Sequence, residues 1–108
     1  MAARFAQAAQ GYPSAVRFAF FLYVALVLVG DKPSSLSYVR SKGDTAEQAG
    51  LYSDTFHFPE STDETRVISH IQVLNSDPRC HGILVQLPLP PQINEERVLR
   101  LVSLEKDV

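Results

Sequence analysis

Gly82-Ile83-Leu84-Val85-Gln86-Leu87-Pro88-Leu89-Pro90 is the stretch from which the fold is read. Side chains alternate along a strand, so Ile83, Leu84, Val85 and Leu87 cannot all face one side. A strand apolar on both faces belongs at the buried centre of a parallel sheet, with helices above and below. Gln86 is the polar exception, near the carboxyl end of a strand expected over Ile83 to Leu87. That end of an open α/β sheet is where ligands bind. Pro88 and Pro90 cannot donate to a ladder and stop the strand. A buried amide at the mouth of such a sheet needs hydrogen-bond partners.

Upstream, residues 24–29 (Val-Ala-Leu-Val-Leu-Val) are aliphatic and read as a second buried strand. Gly30 to Ser35 is a turn by composition, and Ser34 or Ser35 can cap the helix that follows. That helix is expected to reach about Ala49, with Gly50 as its stop. Its apolar stripe is thin: Leu36, Val39, Ala46 and Ala49. Gly43 in its interior costs about 1 kcal/mol relative to Ala, so packing or function must hold it. Leu51 to Phe58 alternates as an edge strand, with Leu51, Ser53, Thr55 and His57 against Tyr52, Asp54, Phe56 and Phe58, and Pro59 ends it. Ser61 and Glu64 have capping-box spacing. Val67, Ile68, Ile71 and Leu74 give the next helix its apolar face, with His70 and Gln72 pointing elsewhere. Asn94 can cap a last helix that turns Val98, Leu101 and Val102 inward.

Strand and helix alternate three times, which means a three-layer α/β domain around an open, mainly parallel sheet with right-handed crossovers. The domain is expected over residues 23–108, with residues 1–22 a separate, uncertain segment. Met1 to Gln10 has the composition of a short Ala-rich helix. Phe18 to Val29 carries no charge, but is shorter than the roughly 20 residues of a membrane span. A signal-peptide core is the competing reading of that run.

The 108 residues suffice for one small domain, and 45% hydrophobic with 20% charged is a globular composition. A net charge of -2 argues against nucleic-acid and membrane partners. Cys80 is the one cysteine, so neither a disulfide framework nor a cysteine metal site is expected. His57, His70 and His81 lack metal-motif spacing and are expected at the surface or rim.

Tyr38 and Lys42, four apart on the first helix, share a face. A phenol beside an ammonium can hold its position, and a lysine near a sheet mouth can serve as acid or base. The carbonyl of Gln86 could accept from that ammonium. On spacing alone, a rim tyrosine, a solvated lysine and a structural glutamine fit as well.

The order of the motifs adds to this. Val29-Gly30-Asp31-Lys32-Pro33-Ser34-Ser35, Tyr38-Val39-Arg40-Ser41-Lys42, Gly82 to Pro90, and Lys106-Asp107-Val108 resemble the VGDxPAS, YVxxK, GILVQLPLP and KDVDGF patterns of one family. It is the bifunctional methylenetetrahydrofolate dehydrogenase/methenyltetrahydrofolate cyclohydrolase family, and the likeness covers residues 24–108, its amino-terminal catalytic, folate-binding domain. The resemblance implies an enzyme that oxidises 5,10-methylenetetrahydrofolate with NAD(P) and hydrolyses the methenyl product to 10-formyltetrahydrofolate. It implies that Lys42 is the catalytic lysine, that Tyr38 stacks on the folate, and that Gln86 hydrogen-bonds and tunes Lys42. Leu87, Pro88 and Asp107 would join Tyr38 and Gln86 in binding the substrate. It also implies one-carbon metabolism and purine biosynthesis, a homodimer, and a cytoplasmic setting, with mitochondria as the alternative.

Departures from the family pattern set further expectations. The Asp-Gly-Phe half of the last motif is absent, as is any G-x-G-x-x-G phosphate loop. The family's amino-terminal helix is not recognisable in residues 1–22. Asp44 stands where the family is often basic, and Gly43 is unusual there. The chain is therefore expected to be a truncated, inactive or partial form with no cofactor site of its own. A non-catalytic α/β binding or interaction domain on the same scaffold is the alternative.

Overall fold

The structure is a computed structural model that describes residues 22–107. The elements run β1 (Tyr23–Val29), α1 (Pro33–Gln48), β2 (Tyr52–Phe58), α2 (Glu64–Ser76), β3 (Gly82–Val85), α3 (Glu95–Leu101) and a 3-10 turn (Leu104–Lys106). The strands form one parallel sheet in the order β2-β1-β3. This is the alternating three-layer α/β arrangement expected. The Ala-rich helix expected over Met1 to Gln10, and the remaining readings of residues 1–21, fall outside the described residues.

Strand alternation sorts the core into two layers. Tyr23, Ala25, Val27 and Val29 of β1, Phe56 and Phe58 of β2, and Ile83 and Val85 of β3 pack with Val67, Ile71 and Leu74 of α2 and Val98 of α3. On the opposite face, Leu26 and Leu28, with Val24 and Leu84 beside them, meet Val39 of α1.

Among the described residues the middle strand is β1, and the Gly82 stretch lies beside it. Apolar residues on both faces of β3 report helix cover above and below, and carry no information about lateral neighbours. β3 pairs with β1 on one side, and on the other Ile83 forms an isolated parallel bridge with Asp107. β3 also ends at Val85, earlier than the expected Leu87. Gln86 is the first residue beyond it, yet its N–H still donates to Val27 O at 2.8 Å.

Helix ends depart from the expected caps in two places. α1 starts at Pro33, whose fixed φ and missing N–H suit a first helical position. Lys32 is therefore the N-cap, with no side-chain bond, and neither Ser34 nor Ser35 caps. For α2 the cap is Asp63, which accepts from Arg66 N at 2.9 Å, instead of Ser61. Glu64 turns away from that box and accepts from Asn94 N and Arg97, tying α2 to α3. The stops follow expectation at Gly50: its φ is +85°, with Gly50 N bonded to Glu47 O and Leu51 N to Ala46 O.

The sheet-facing row of α1 is Ser35, Val39 and Gly43, whereas Leu36 and Ala49 of the expected stripe are exposed. A single buried valine contributes roughly 1.5 kcal/mol, little for a helix this long. Gly43 has its explanation here. A Cβ at that position would lie 3.3 Å from Ser53 Oγ and 3.8 Å from Leu26 Cδ1, so an added side chain would press on the Ser53 hydroxyl. His70 also departs from expectation. It is fully buried, its ring 4.5 Å from that of Phe56 and 5.1 Å from that of Phe58. The aromatic pair offers the imidazole a face to pack on, which an apolar periodicity count does not register.

Candidate active site

Alternation decides where Gln86 points. Ile83 and Val85 face α2 and α3, so Leu84 and Gln86 face α1. On α1, Tyr38 and Lys42 stand beside the sheet-facing row of Val39 and Gly43. The two elements meet: Lys42 Nζ donates to Gln86 Oε1 at 2.8 Å. Gln86 is 6% exposed, and its Nε2 donates to Leu87 O at 2.8 Å. Both ends of the amide are thus occupied, which fixes its orientation and presents the oxygen to the ammonium.

Tyr38 lies one helical turn before Lys42 and is 57% exposed. Leu87 and Pro88, joined by a cis peptide bond, are exposed beyond β3. An open phenol ring, an exposed Leu-Pro pair and a fixed ammonium therefore border the carboxyl edge of the sheet. Two depressions on the described surface, one including Ser69, Gln72 and Arg79 and the other Asn94, Arg97 and Arg100, are not lined by these residues.

Asp107 is not brought to the pair. It bridges Ile83, three positions before Gln86, or about 10 Å along the strand direction. Its neighbour Lys106 is occupied elsewhere. Lys106 Nζ donates to the carbonyls of Leu74, Asn75 and Asp77 at 2.8–2.9 Å and so caps the end of α2. Asn75 adds bonds to Leu101 O at 2.7 Å and from Ser103 N at 3.0 Å.

His57 is a residue whose contacts the sequence reading missed. Its Nε2 lies 2.7 Å from Gly30 O and 3.1 Å from Asp31 Oδ1, across the turn that feeds α1. The signal was present in the alternation, which put His57 on one face with Ser53 at the carboxyl end of an edge strand. Near β3, burial pushes the Cys80 thiol above its usual range, and its Sγ contacts Gly82 O at 3.3 Å. Among the described residues no helix is long and apolar enough to cross a membrane, and no group of three or more His, Cys, Asp or Glu stands ready for a metal.

The tetrahydrofolate dehydrogenase/cyclohydrolase catalytic domain matches residues 8–108. The chain belongs to this family. Its match to the tetrahydrofolate dehydrogenase/cyclohydrolase domain begins well before the first of the motifs, at Val29. The bifunctional protein FolD of Moorella thermoacetica is 47% identical over 85 residues, 79% of this chain and 30% of that protein. The FolD of Bacillus thuringiensis is 48% identical over the same shares. Among solved structures, the bifunctional FolD enzyme of Campylobacter jejuni superposes with a TM-score of 0.80 at 33% identity, covering 97% of this chain and 38% of that one. A 5,10-methylenetetrahydrofolate dehydrogenase from the silkworm Bombyx mori gives 0.80 at 37% identity, covering 92% and 34%. The chain spans about a third of the length of the family members it matches.

Proposed function

We propose that this chain provides the folate-binding, catalytic part of an enzyme that oxidises 5,10-methylenetetrahydrofolate with NAD(P) and hydrolyses 5,10-methenyltetrahydrofolate to 10-formyltetrahydrofolate. The observation that carries the reading is the bond between Lys42 Nζ and Gln86 Oε1. Family membership supplies the substrate, and the pair supplies chemistry suited to its hydrolysis.

In this reading the pterin stacks on the exposed ring of Tyr38, with Leu87 and Pro88 beside it. Stacking holds the one-carbon bridge within reach of Lys42, and near-attack placement of that kind lowers a barrier without any covalent step. Water adds to the bridge carbon and loses one proton. The bond from that carbon to the ring nitrogen then breaks as the second O–H proton leaves to form the formyl carbonyl and the nitrogen takes up a proton. Lys42 is the group placed to relay it. Gln86 keeps the amine aimed while remaining uncharged itself. Asp107 joins substrate binding in this reading from its place beside Ile83 of β3.

The nicotinamide does not fit the described residues. None of the strand-to-helix turns, Gly30 to Lys32, Pro59 to Asp63 and Gln86 to Asn94, is a glycine-rich phosphate loop. No part of the hydride step is assigned to them. A role in one-carbon supply for purine biosynthesis, a homodimeric assembly and a cytoplasmic or mitochondrial setting belong to the same proposal and rest on family membership.

The test uses this chain with 5,10-methenyltetrahydrofolate, followed by loss of its absorbance, and with 5-formyltetrahydrofolate as a stable binding probe. At most a partial acceleration over buffer is expected from the chain, in keeping with a partial form, with loss of that fraction in Lys42→Met and weaker probe binding in Tyr38→Ala. Equal hydrolysis by the chain and Lys42→Met, both folded, would sink the reading.

A further inference from the structure

α1 carries Tyr38 and Lys42, yet its described hold on the sheet is slight. Its buried side chains are Ser35 and Val39. The strand beneath its outer side presents a polar row, Ser53, Thr55 and His57. The two ends of that row touch two points of α1 and its lead-in. Ser53 Oγ lies 3.5 Å from Gly43 O, directly after Lys42. His57 Nε2 lies 2.7 Å from Gly30 O and 3.1 Å from Asp31 Oδ1.

Neither a carbonyl nor a carboxylate donates, so His57 Nε2 carries the hydrogen. The shorter contact is the one to Gly30 O. Asp31 is 75% exposed at its side chain, and an ion pair that open contributes little. Gly30 is fixed a second time, by its N–H on Phe58 O at 2.9 Å. Only Asp31 and Lys32 separate it from Pro33, where α1 begins with φ set by the ring. From Pro33 to Lys42 the helix is a rod of about 13.5 Å. Where the imidazole holds Gly30, the rod starts; where the rod starts, Lys42 Nζ arrives.

We infer that His57 is a positioning residue for the Lys42–Gln86 pair, acting through Gly30 and the first turn of α1. The inference rests on the reading of that pair as the working site. It assigns His57 no contact with substrate. The bond to Gly30 O is its working contact, and the one to Asp31 is incidental.

The experiment is NMR of the labelled chain without folate, so a chain that binds no folate still answers it. The side-chain amide of Gln86 and the ε-carbon of Lys42 are the reporters, and Lys42→Met gives the spectrum of the broken pair. His57→Phe should shift the Gln86 amide most of the way to its Lys42→Met position. His57→Gln, which keeps an N–H at similar reach, should restore the original signals, and Asp31→Asn should leave them in place. His57→Asn, too short to reach Gly30 O, should behave as Phe, and the Gln/Asn contrast decides the matter if the Phe variant does not fold. Gln86 signals unmoved in His57→Asn, or moved equally by Gln and Asn, would overturn the inference. So would a lowered unfolding midpoint in these variants with the Gln86 amide unshifted, because that is what a purely structural histidine does.

Discussion

Replacing Gly43 by Ala tests how closely α1 must approach the sheet. Two effects oppose each other. Alanine in a helix interior is favoured over glycine by about 0.8–1.0 kcal/mol. Against this, the new Cβ would sit 3.3 Å from Ser53 Oγ, so something must give by a few tenths of an ångström. The crowding atom is a hydroxyl on a single bond, and it can turn away. Doing so forfeits its contact with Gly43 O, which at 3.5 Å is at the limit of a hydrogen bond and contributes at most about 0.5 kcal/mol. Leu26 Cδ1, at 3.8 Å, is at ordinary contact distance. The expected result is stabilisation by about 0.5 kcal/mol, read as a higher urea midpoint at unchanged slope. In a Ser53→Ala background the hydroxyl is gone, and the same change should yield the full gain of about 1 kcal/mol. Destabilisation by Gly43→Ala in both backgrounds would refute the reasoning. It would mean that the backbones themselves, not the serine hydroxyl, set the distance.

Three other perturbations probe the frame around the site. Lys106→Met removes a charged donor from the three carbonyls at the end of α2, and a loss of about 2 kcal/mol in urea unfolding is expected; a loss below about 0.5 kcal/mol would show that water replaces the cap at no cost. Burial works to raise the Asp77 carboxyl, but hydrogen bonds from the Arg79 side chain and N–H, with the charges of Arg79 and Lys106, outweigh it and hold the carboxyl below its ordinary value. Its contribution to stability is therefore complete above the unfolded value of about 3.9 and fades as pH falls through the lower folded value. Asp77→Asn should flatten the stability curve in that acid range, and an unchanged slope counts against the pairing. The Cys80 thiol, 2% exposed and raised by burial, should react with an aromatic disulfide reagent on the order of 100-fold more slowly in the folded chain than in urea, and comparable rates would contradict its burial.

Much of the fold was legible because it depends on period and punctuation. The Phe56 and Phe58 row, the Val98 face of α3, the Asn94 cap and the Gly50 stop all follow from local rules. The meeting of Lys42 with Gln86 was legible too, from motif order and from Gln86 lying at the carboxyl end of its strand. What failed was lateral and competitive information. Hydropathy along β3 reveals cover above and below, but not that β1 holds the middle of the described sheet. Ser61 and Asp63 both qualify as caps by type, and the backbone chose the one whose helix lets Glu64 reach Asn94. Asp107 was grouped with the site by the family motif alone, and strand register, which the motif does not carry, sets it beside Ile83, three residues down the ladder from Gln86. His70 was placed outside the apolar face because imidazole counts as polar, yet two phenylalanines make a ring-shaped space for it.

The amide of Gln86 is gripped at both of its ends, and an amide so gripped is a one-way part. Turned over, it would set its own hydrogens against the lysine's and its oxygen against a peptide oxygen. Two attractions would become two repulsions in the same half-turn. That side chain therefore has one resting attitude while the surrounding backbone stands, and the lysine has a permanent compass bearing.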